Sequence, residues 1–141
     1  MKILWKDPES NEELNREKDS FLSKSKKRYE IINDIPRFVD DSNYTDAFGV
    51  QWNHFRKTQL DSYSKFSLSE RRLKRCLGDN LFSSLKGEFV LEAGCGAGRF
   101  TEVLLNNDAN VASIDMSNAV EANQENFPQN EHHLIAQADI C

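Results

Sequence analysis

The sequence predicts an α/β protein in which a partial parallel sheet of about three strands follows a small β-rich segment and helices. From residue 88 onward, short apolar runs alternate with segments of helical periodicity, the pattern of strands joined by crossover helices. Acidic residues stand in or directly after these apolar runs. With 38% hydrophobic and 29% charged residues but only 6 Gly and 3 Pro, the composition excludes a collagen-like, low-complexity or wholly disordered chain.

The first segment, residues 1–40, is predicted to form short strands and turns. Tyr29–Ile32 and Ile35–Val39 are rich in β-forming residues, and the turn pair Asn33-Asp34 separates them. Pro36 has no backbone N–H to donate, so the second run is expected to lie at the edge of a sheet.

The second segment, residues 41–87, is predicted to be an aromatic-rich helical linker or lid. The spacing of Phe48, Trp52 and Phe55 predicts one face of a short helix. His54 lies among these aromatics and is either a general base or the polar edge of an aromatic cluster.

A further helix in this segment has clear end signals. Ser67 and Glu70 have the spacing of a capping box, which predicts Ser67 as the N-cap. Gly78 is placed to end this helix.

The third segment, residues 88–141, predicts β-α-β-α-β, one half of a doubly wound sheet. The predicted elements are a strand over 89–93, a helix over 99–105, a strand over 111–114, a helix over 118–126 and a strand over 134–138. The first strand is apolar on both faces, which predicts a buried parallel strand. His132 and His133 are predicted to lie in a loop, and no metal site is expected from them.

Charge is divided unevenly along the chain. Residues 1–87 hold 17 of the 18 basic and 14 of the 23 acidic residues, whereas residues 88–141 hold one basic and nine acidic ones. The acidic part suits a cationic or neutral small ligand and disfavours nucleic acid. The basic run Lys24–Arg28 leaves an RNA contact open, although a solvated hairpin is the favoured interpretation.

Three further features bear on the compartment. No apolar run is long enough to span a membrane, and the first residues lack the apolar stretch of a signal peptide, so a cytoplasmic protein is expected. The three cysteines, Cys76, Cys95 and Cys141, are odd in number and form no C-x-x-C pair. Neither a disulfide framework nor a cysteine zinc site is predicted.

The strongest motif lies between the first predicted strand and the helix after it. Gly94, Gly96 and Gly98 are spaced G-x-G-x-G, whereas a dinucleotide fingerprint requires glycine at the position of Arg99. Glu92, just before the loop, would favour a sulfonium or ammonium ligand over a pyrophosphate. The motif therefore fits S-adenosylmethionine (SAM) better than a nicotinamide dinucleotide, and a tight turn without a ligand is the alternative.

Acidic residues also follow the next two strands. Asp115 can accept both hydroxyls of a ribose, Met116 can flank an adenine, and Asp139 can meet the adenine amino group. The alternative is that these carboxylates, like Glu92, are ordinary solvated strand ends or helix caps.

Together these segments resemble the class I SAM-dependent methyltransferases. Val90–Phe100 is similar to the first motif of that family, Val111–Ser117 to its second and Ala136–Ile140 to its third. The resemblance covers residues 85–141 and implies a Rossmann-like fold with SAM as cofactor. The residues it implies at the cofactor are Glu92 near the methionine end, Gly94, Cys95, Gly96 and Gly98 beneath SAM, Asp115 and Met116 at the ribose and adenine, and Asp139 and Ile140 at the adenine.

The N-terminal part resembles a branch of this family that carries a small zinc-ribbon-like domain. The similarity lies in residues 35–39, 48–53 and 58–62. The four cysteines typical of that ribbon are replaced by Asp7, Ser10, Leu22 and Ser25. We therefore expect a degenerate ribbon that folds without metal or is only partly ordered.

The resemblance implies methyl transfer from SAM to a small-molecule acceptor. The family sheet has later strands, which carry the acceptor pocket and the usual base, so the chain is expected to be a fragment that is inactive alone, and no catalytic residue is assigned. A half-domain that binds SAM poorly is the alternative. Other functions left open are a non-catalytic SAM-fold module, an RNA methyltransferase and a nicotinamide-dependent oxidoreductase.

Overall fold

The computed structural model describes residues 4–39 and 56–140, which form a mixed α/β structure. No helix in these two ranges is long and apolar enough to cross a membrane. The predicted short helix over 48–55, with His54, lies outside the described residues. The strands are β1 (Asn15–Arg16), β2 (Ser20–Leu22), β3 (Arg28–Ile32), β4 (Ile35–Pro36), β5 (Phe89–Ala93), β6 (Asn110–Asp115) and β7 (His133–Gln137), and the helices are α1 (Asp61–Ser64), α2 (Leu68–Ser83), α3 (Arg99–Asn106) and α4 (Ala119–Asn126).

The β-rich N-terminal segment is an antiparallel sheet in the order β1-β2-β3-β4. Asn33 and Asp34 join β3 to β4 with φ of 53° and 63°, the positive values that a tight type I′ hairpin turn requires. The predicted turn is confirmed, and β4 lies at the edge of this antiparallel sheet, but the predicted run continues through Arg37 and Phe38, which pair with β7. A small core of Leu14, Phe21 and Tyr29, with Trp5, Ile31 and Phe38 packed against it, stabilises this sheet.

Polar side chains close two turns of this sheet, one after Asp7 and one after Ser23. The buried carboxylate of Asp7 accepts the backbone N–H groups of Glu9 and Ser10 at 2.8 and 3.0 Å. In the second turn, the hydroxyl of Ser23 accepts the N–H of Lys27 at 2.9 Å. Among the described residues, no group of three His, Cys, Asp or Glu side chains is placed to hold a metal ion.

The second sheet is parallel, with the order β5-β6-β7. Helix α3 connects β5 to β6 and helix α4 connects β6 to β7, so the predicted β-α-β-α-β order is confirmed. The main core lies against one face of this sheet and contains buried residues from α2, α3, β6 and the turns that follow the two helices: Phe82, Leu85, Val103, Leu104, Ala109 and Val111.

Two predictions for this sheet are wrong. Strand β5 is not buried on both faces, because Phe89 and Leu91 are 72% and 66% exposed on the face away from the core. Helices in the described ranges pack only on the side of Val90, and β5 pairs with β6 alone. His133 is not in a loop: it begins β7 and is completely buried, whereas its neighbour His132 is exposed.

The two sheets meet at the β7 edge. The N–H of Phe38 donates to the carbonyl of Gln137 at 2.8 Å, which extends the parallel sheet beyond β7. Arg37 donates to the side chain of Gln137 at 3.0 Å and pairs with Glu121 on α4. Ile35 is fully buried in a cluster with residues of α4 and β7. The N-terminal sheet is therefore docked on the parallel one.

Helix α2 begins differently from the prediction, but it is broken at the predicted glycine. The Ser67 side chain makes no capping bond; instead, Asp61 accepts the N–H groups of Ser69 and Glu70, each at 2.9 Å. Gly78, with φ of 78° and ψ of 162°, ends the first helical part as predicted, and a second helical part follows directly and runs through residue 83. Asp61 outcompetes Ser67 because the α1 turn folds back and presents both carboxylate oxygens.

Replacing Asp61 with Ala is expected to lower the free energy of unfolding by about 1 kcal/mol, the usual loss for an N-cap acceptor. Ser67→Ala is the matched control and should leave stability nearly unchanged, because that hydroxyl caps nothing. Urea unfolding measures both. An equal loss of unfolding free energy in the two variants would show that Ser67 caps the helix after all.

The contribution of Asp61 should also depend on pH. Burial opposes ionisation of this carboxyl, but the N–H groups of Glu70 and Ser69 outweigh it and lower its pKa below 3.8. A lowered pKa in the folded state means that the stabilisation is present above the unfolded pKa and is lost as the pH falls through the folded one. The difference between wild type and Asp61→Ala should shrink in acid.

Candidate functional site

The glycine loop, residues 94–98, joins β5 to α3 and has two kinds of glycine. Gly94 and Gly96 have φ of 77° and 52°, and a Cβ built at either would meet no atom within 4 Å. A Cβ at Gly98, with φ of 95°, would lie 2.8 Å from the ring of Phe127. The first two glycines therefore leave an open approach to the backbone, whereas Gly98 allows the segment after α4 to pack against the loop.

The end of β6 holds the loop in place. The backbone N–H groups of Gly94 and Cys95 both donate to the carbonyl of Ile114, at 2.8 and 3.0 Å. The N–H of Gly96 donates to the Asp115 carboxylate at 2.8 Å. A direct hydrogen bond therefore joins the glycine loop to the carboxylate at the end of β6.

Asp115 is partly buried and already accepts three hydrogen bonds. Besides Gly96, its carboxylate accepts the backbone N–H and the hydroxyl of Ser117 at 2.9 and 2.7 Å. An ionised carboxylate has about four lone-pair sites. Capacity for a further donor, such as a ligand hydroxyl, remains on this side chain.

A cavity of about 190 Å³ opens over the loop. Three of its polar lining residues, Arg56, Gln59 and Arg99, were not predicted as site residues. Arg99 begins α3 and donates from Nε to the Ser69 hydroxyl at 3.1 Å, while Arg56 pairs with Glu125. Drug-sized ligands occupy cavities of roughly 300–1,000 Å³, so this one suits one end of such a ligand. The only sequence signal for Gln59 was its place in the similar segment 58–62.

The other predicted residues lie at the same sheet edge but outside this cavity. The Met116 carbonyl accepts the side-chain amide of Gln137 at 2.9 Å, and the Ala138 N–H donates to the carbonyl of Asp115 at 3.0 Å. These bonds bring the ends of β6 and β7 together. Asp139 and Ile140 follow β7 and are exposed.

Glu92 faces the core and not the cavity. Its Oε2 accepts the hydroxyls of Thr101 and Ser113 at 2.5 and 2.9 Å. His133 and Asn123 complete the group, which we name the buried polar cluster: Glu92, Thr101, Ser113, Asn123 and His133. Burial raises the pKa of Glu92 despite the two hydroxyl donors.

Cys95 lies in the loop as a buried thiol. Burial raises its pKa strongly, and the nearby carboxylates of Glu92 and Asp115 raise it further. A thiol in this environment stays protonated at neutral pH and is not a nucleophile. Its role in the loop is that of a small packed side chain.

The site is thus a glycine loop at the carboxyl edge of a parallel sheet, with a carboxylate on one side and guanidinium groups on the other. Most N–H groups of the glycine loop are already donated, so an anionic group would bind to Arg99, Arg56 and the N–H groups of the first turn of α3, while Asp115 can accept hydroxyl donors. The chain matches no protein-family model and no curated protein.

Replacing Gly98 with Ala is expected to lower the free energy of unfolding about 1–3 kcal/mol more than Gly96→Ala does. Both substitutions place a side chain at positive φ, but only the Cβ at position 98 meets the Phe127 ring. Urea unfolding of the two variants measures the difference. Equal losses would contradict the packing role assigned to Gly98.

Proposed function

We propose that the chain is the SAM-binding part of a cytoplasmic class I SAM-dependent methyltransferase with a Rossmann-like sheet, and that its methyl acceptor is a small molecule. The observation that carries the proposal is the open glycine loop whose Gly96 N–H bonds to Asp115 at the end of the next strand. The three segments that resemble the family motifs lie at the ends of three adjacent parallel strands. A chance glycine turn would not require that arrangement.

The charged and polar groups at the carboxyl edge of the parallel sheet suit the separate parts of SAM. The amino-acid end carries a carboxylate, and the cavity at the loop is lined by Arg99 and Arg56, with the N–H groups of the first turn of α3 beside them. The ribose carries two adjacent hydroxyls, for which Asp115 has an acceptor site. The adenine would extend along the exposed edge toward Met116 and the residues after β7. A cavity of about 190 Å³ fits the amino-acid end alone, which is consistent with this division.

Glu92 has an indirect role in this proposal. Because its carboxyl lies under the loop with Thr101 and Ser113, it supports the backbone that contacts the ligand. Contact with the amino-acid end is assigned to the loop and to the cavity arginines. The preference for SAM over a nicotinamide dinucleotide then depends on the loop spacing and Asp115, and not on a charge at position 92.

The residues of this chain act by binding and orienting. Bound SAM would supply a sulfonium methyl group for transfer to a nucleophilic atom of the acceptor. Holding the two reactants in line accounts for most of the rate in such a reaction, so the rigid loop and its anchor on β6 are the relevant contribution. A general base is needed only where the acceptor must lose a proton. No residue in the described ranges is assigned that role.

Binding of S-adenosylhomocysteine, measured by isothermal titration calorimetry, tests the proposal. Asp115→Ala is expected to weaken binding by about 1–3 kcal/mol, because the ribose hydroxyls would lose a partly buried charged acceptor. Asp79→Ala, which removes an exposed carboxylate on α2, is the matched control and should bind as wild type does.

Three results would contradict the proposal. These are no heat of binding with the folded chain, unchanged affinity in Asp115→Ala, and tighter binding of reduced nicotinamide dinucleotide than of S-adenosylhomocysteine. Urea unfolding of Asp115→Ala is measured in parallel, since this side chain also anchors Gly96. Binding without methyl transfer in any longer form of the protein would favour a non-catalytic module.

A further inference from the structure

Hydrogen bonding fixes the state of His133 in the buried polar cluster. Its Nδ1 lies 2.9 Å from the carbonyl of Phe127, and a carbonyl only accepts, so Nδ1 carries a hydrogen. Burial lowers the pKa of this histidine to about 4. The ring is therefore neutral near pH 7, and its Nε2 acts as an acceptor.

Ser113 lies between the acceptor Nε2 of His133 and the carboxyl group of Glu92 and can bond to both. Its Oγ lies 3.1 Å from Nε2 of His133 and 2.9 Å from Oε2 of Glu92. A hydroxyl has a single hydrogen: Ser113 can give it to an ionised Glu92, which leaves Nε2 of the buried ring unpaired, or to Nε2 itself. In the second arrangement the neutral ring receives the hydrogen. An ionised Glu92 would then face Ser113 with lone pairs on both oxygens, whereas a protonated Glu92 would donate to Ser113 and complete the chain.

The surroundings of Glu92 point the same way. Thr101 accepts the side-chain amide of Asn123 at 2.9 Å and therefore donates its own hydrogen to Oε2. The second carboxyl oxygen, Oε1, is buried without a hydrogen-bond partner. The nearest ionisable neighbours are Asp115 on β6 and the Cys95 thiol, and no Lys or Arg of the described residues pairs with Glu92. An anion would be solvated poorly here.

We propose that the Glu92–Ser113–His133 chain holds one proton on Glu92 at neutral pH and releases it as the pH rises, which switches on a negative charge behind the glycine loop. The hydrogen-bond directions carry this inference, and it concerns the free chain. It therefore holds or fails independently of SAM binding. In the charged form, the anion adjoins Cys95 and opposes any anionic ligand group at the loop.

The direction in which pH changes the folding stability follows from the difference between the folded and unfolded pKa values. The pKa of Glu92 is raised in the folded state above its ordinary 4.5, so its contribution to stability is present below the unfolded pKa and is lost as the pH rises through the folded one. His133 has the opposite sign, because its pKa is lowered from 6.5. Its contribution is lost as the pH falls through 6.5 toward about 4. Of these two groups, only Glu92 acts above pH 7; Cys95, whose pKa is also raised, adds a loss in alkali that wild type and the Glu92 variant share.

Urea unfolding of Glu92→Gln and Glu102→Gln between pH 6 and 9 tests the proposal. Glu102 is a matched control, since it is also buried but accepts the backbone N–H groups of Asp61 and Ser62 at 2.7 and 3.2 Å. We expect the unfolding midpoint of wild type to fall relative to Glu92→Gln as the pH rises. Glu102→Gln should be less stable than wild type, because a neutral amide oxygen accepts the N–H groups of Asp61 and Ser62 less strongly than a carboxylate does. A difference between wild type and Glu92→Gln that does not change with pH would overturn the proposal.

Nuclear magnetic resonance of the wild-type chain reports the protonation states of Glu92 and His133 directly, which a purely structural role of Glu92 would not predict. We expect the Glu92 carboxyl carbon to show a protonated shift at pH 7 and to titrate above it. The His133 ring should carry a hydrogen on Nδ1 and none on Nε2. An ionised Glu92 at pH 7 would overturn the proposal, whether His133 is neutral or doubly protonated. This measurement needs no variant to fold.

Discussion

Parallel pairing of β5 with β6 is the constraint on which the site depends. The register sets Ala93 opposite Ile114, so the chain leaves β5 where β6 offers one carbonyl and one carboxylate. The Ile114 carbonyl takes two N–H groups of the glycine loop, and Asp115 takes a third. Donors that would otherwise be unpaired at a tight turn are thereby satisfied, and the open side of Gly94 and Gly96 is left facing outward.

Beneath this loop the protein buries polar side chains where a simple core would have apolar ones. The five side chains of the buried polar cluster come from three strands and two helices, and Ser113 links Glu92 to His133. Hydrogen bonds are directional, so this network restricts how α3 and α4 sit on the sheet, although Oε1 of Glu92 and Oδ1 of Asn123 have no hydrogen-bond partner in it. The loop inherits that rigidity because Glu92 and Thr101 lie on either side of it.

The parallel sheet has two different edges. At β7, the backbone of Phe38 and the side chain of Arg37 dock the N-terminal sheet, and Ile35 joins the core. At β5, Phe89 and Leu91 are exposed within the part of the chain that the structure describes. The sequence of β5 could not show whether its outer face is covered or exposed, because the run of apolar residues is the same in both cases. Its burial depends on neighbours that are distant in sequence.

Local sequence determined the order of strands and helices after residue 88, the turn at Asn33-Asp34 and the nearness of the glycine loop to Asp115, because each depends on short-range periodicity, backbone preference or the ends of adjacent strands. Only the tertiary structure decided which acceptor caps α2, where Asp61 replaces Ser67 by folding back from α1. It also turned Glu92 inward and buried His133. Those outcomes are competitions between groups far apart in sequence, and the geometry of contact decides them.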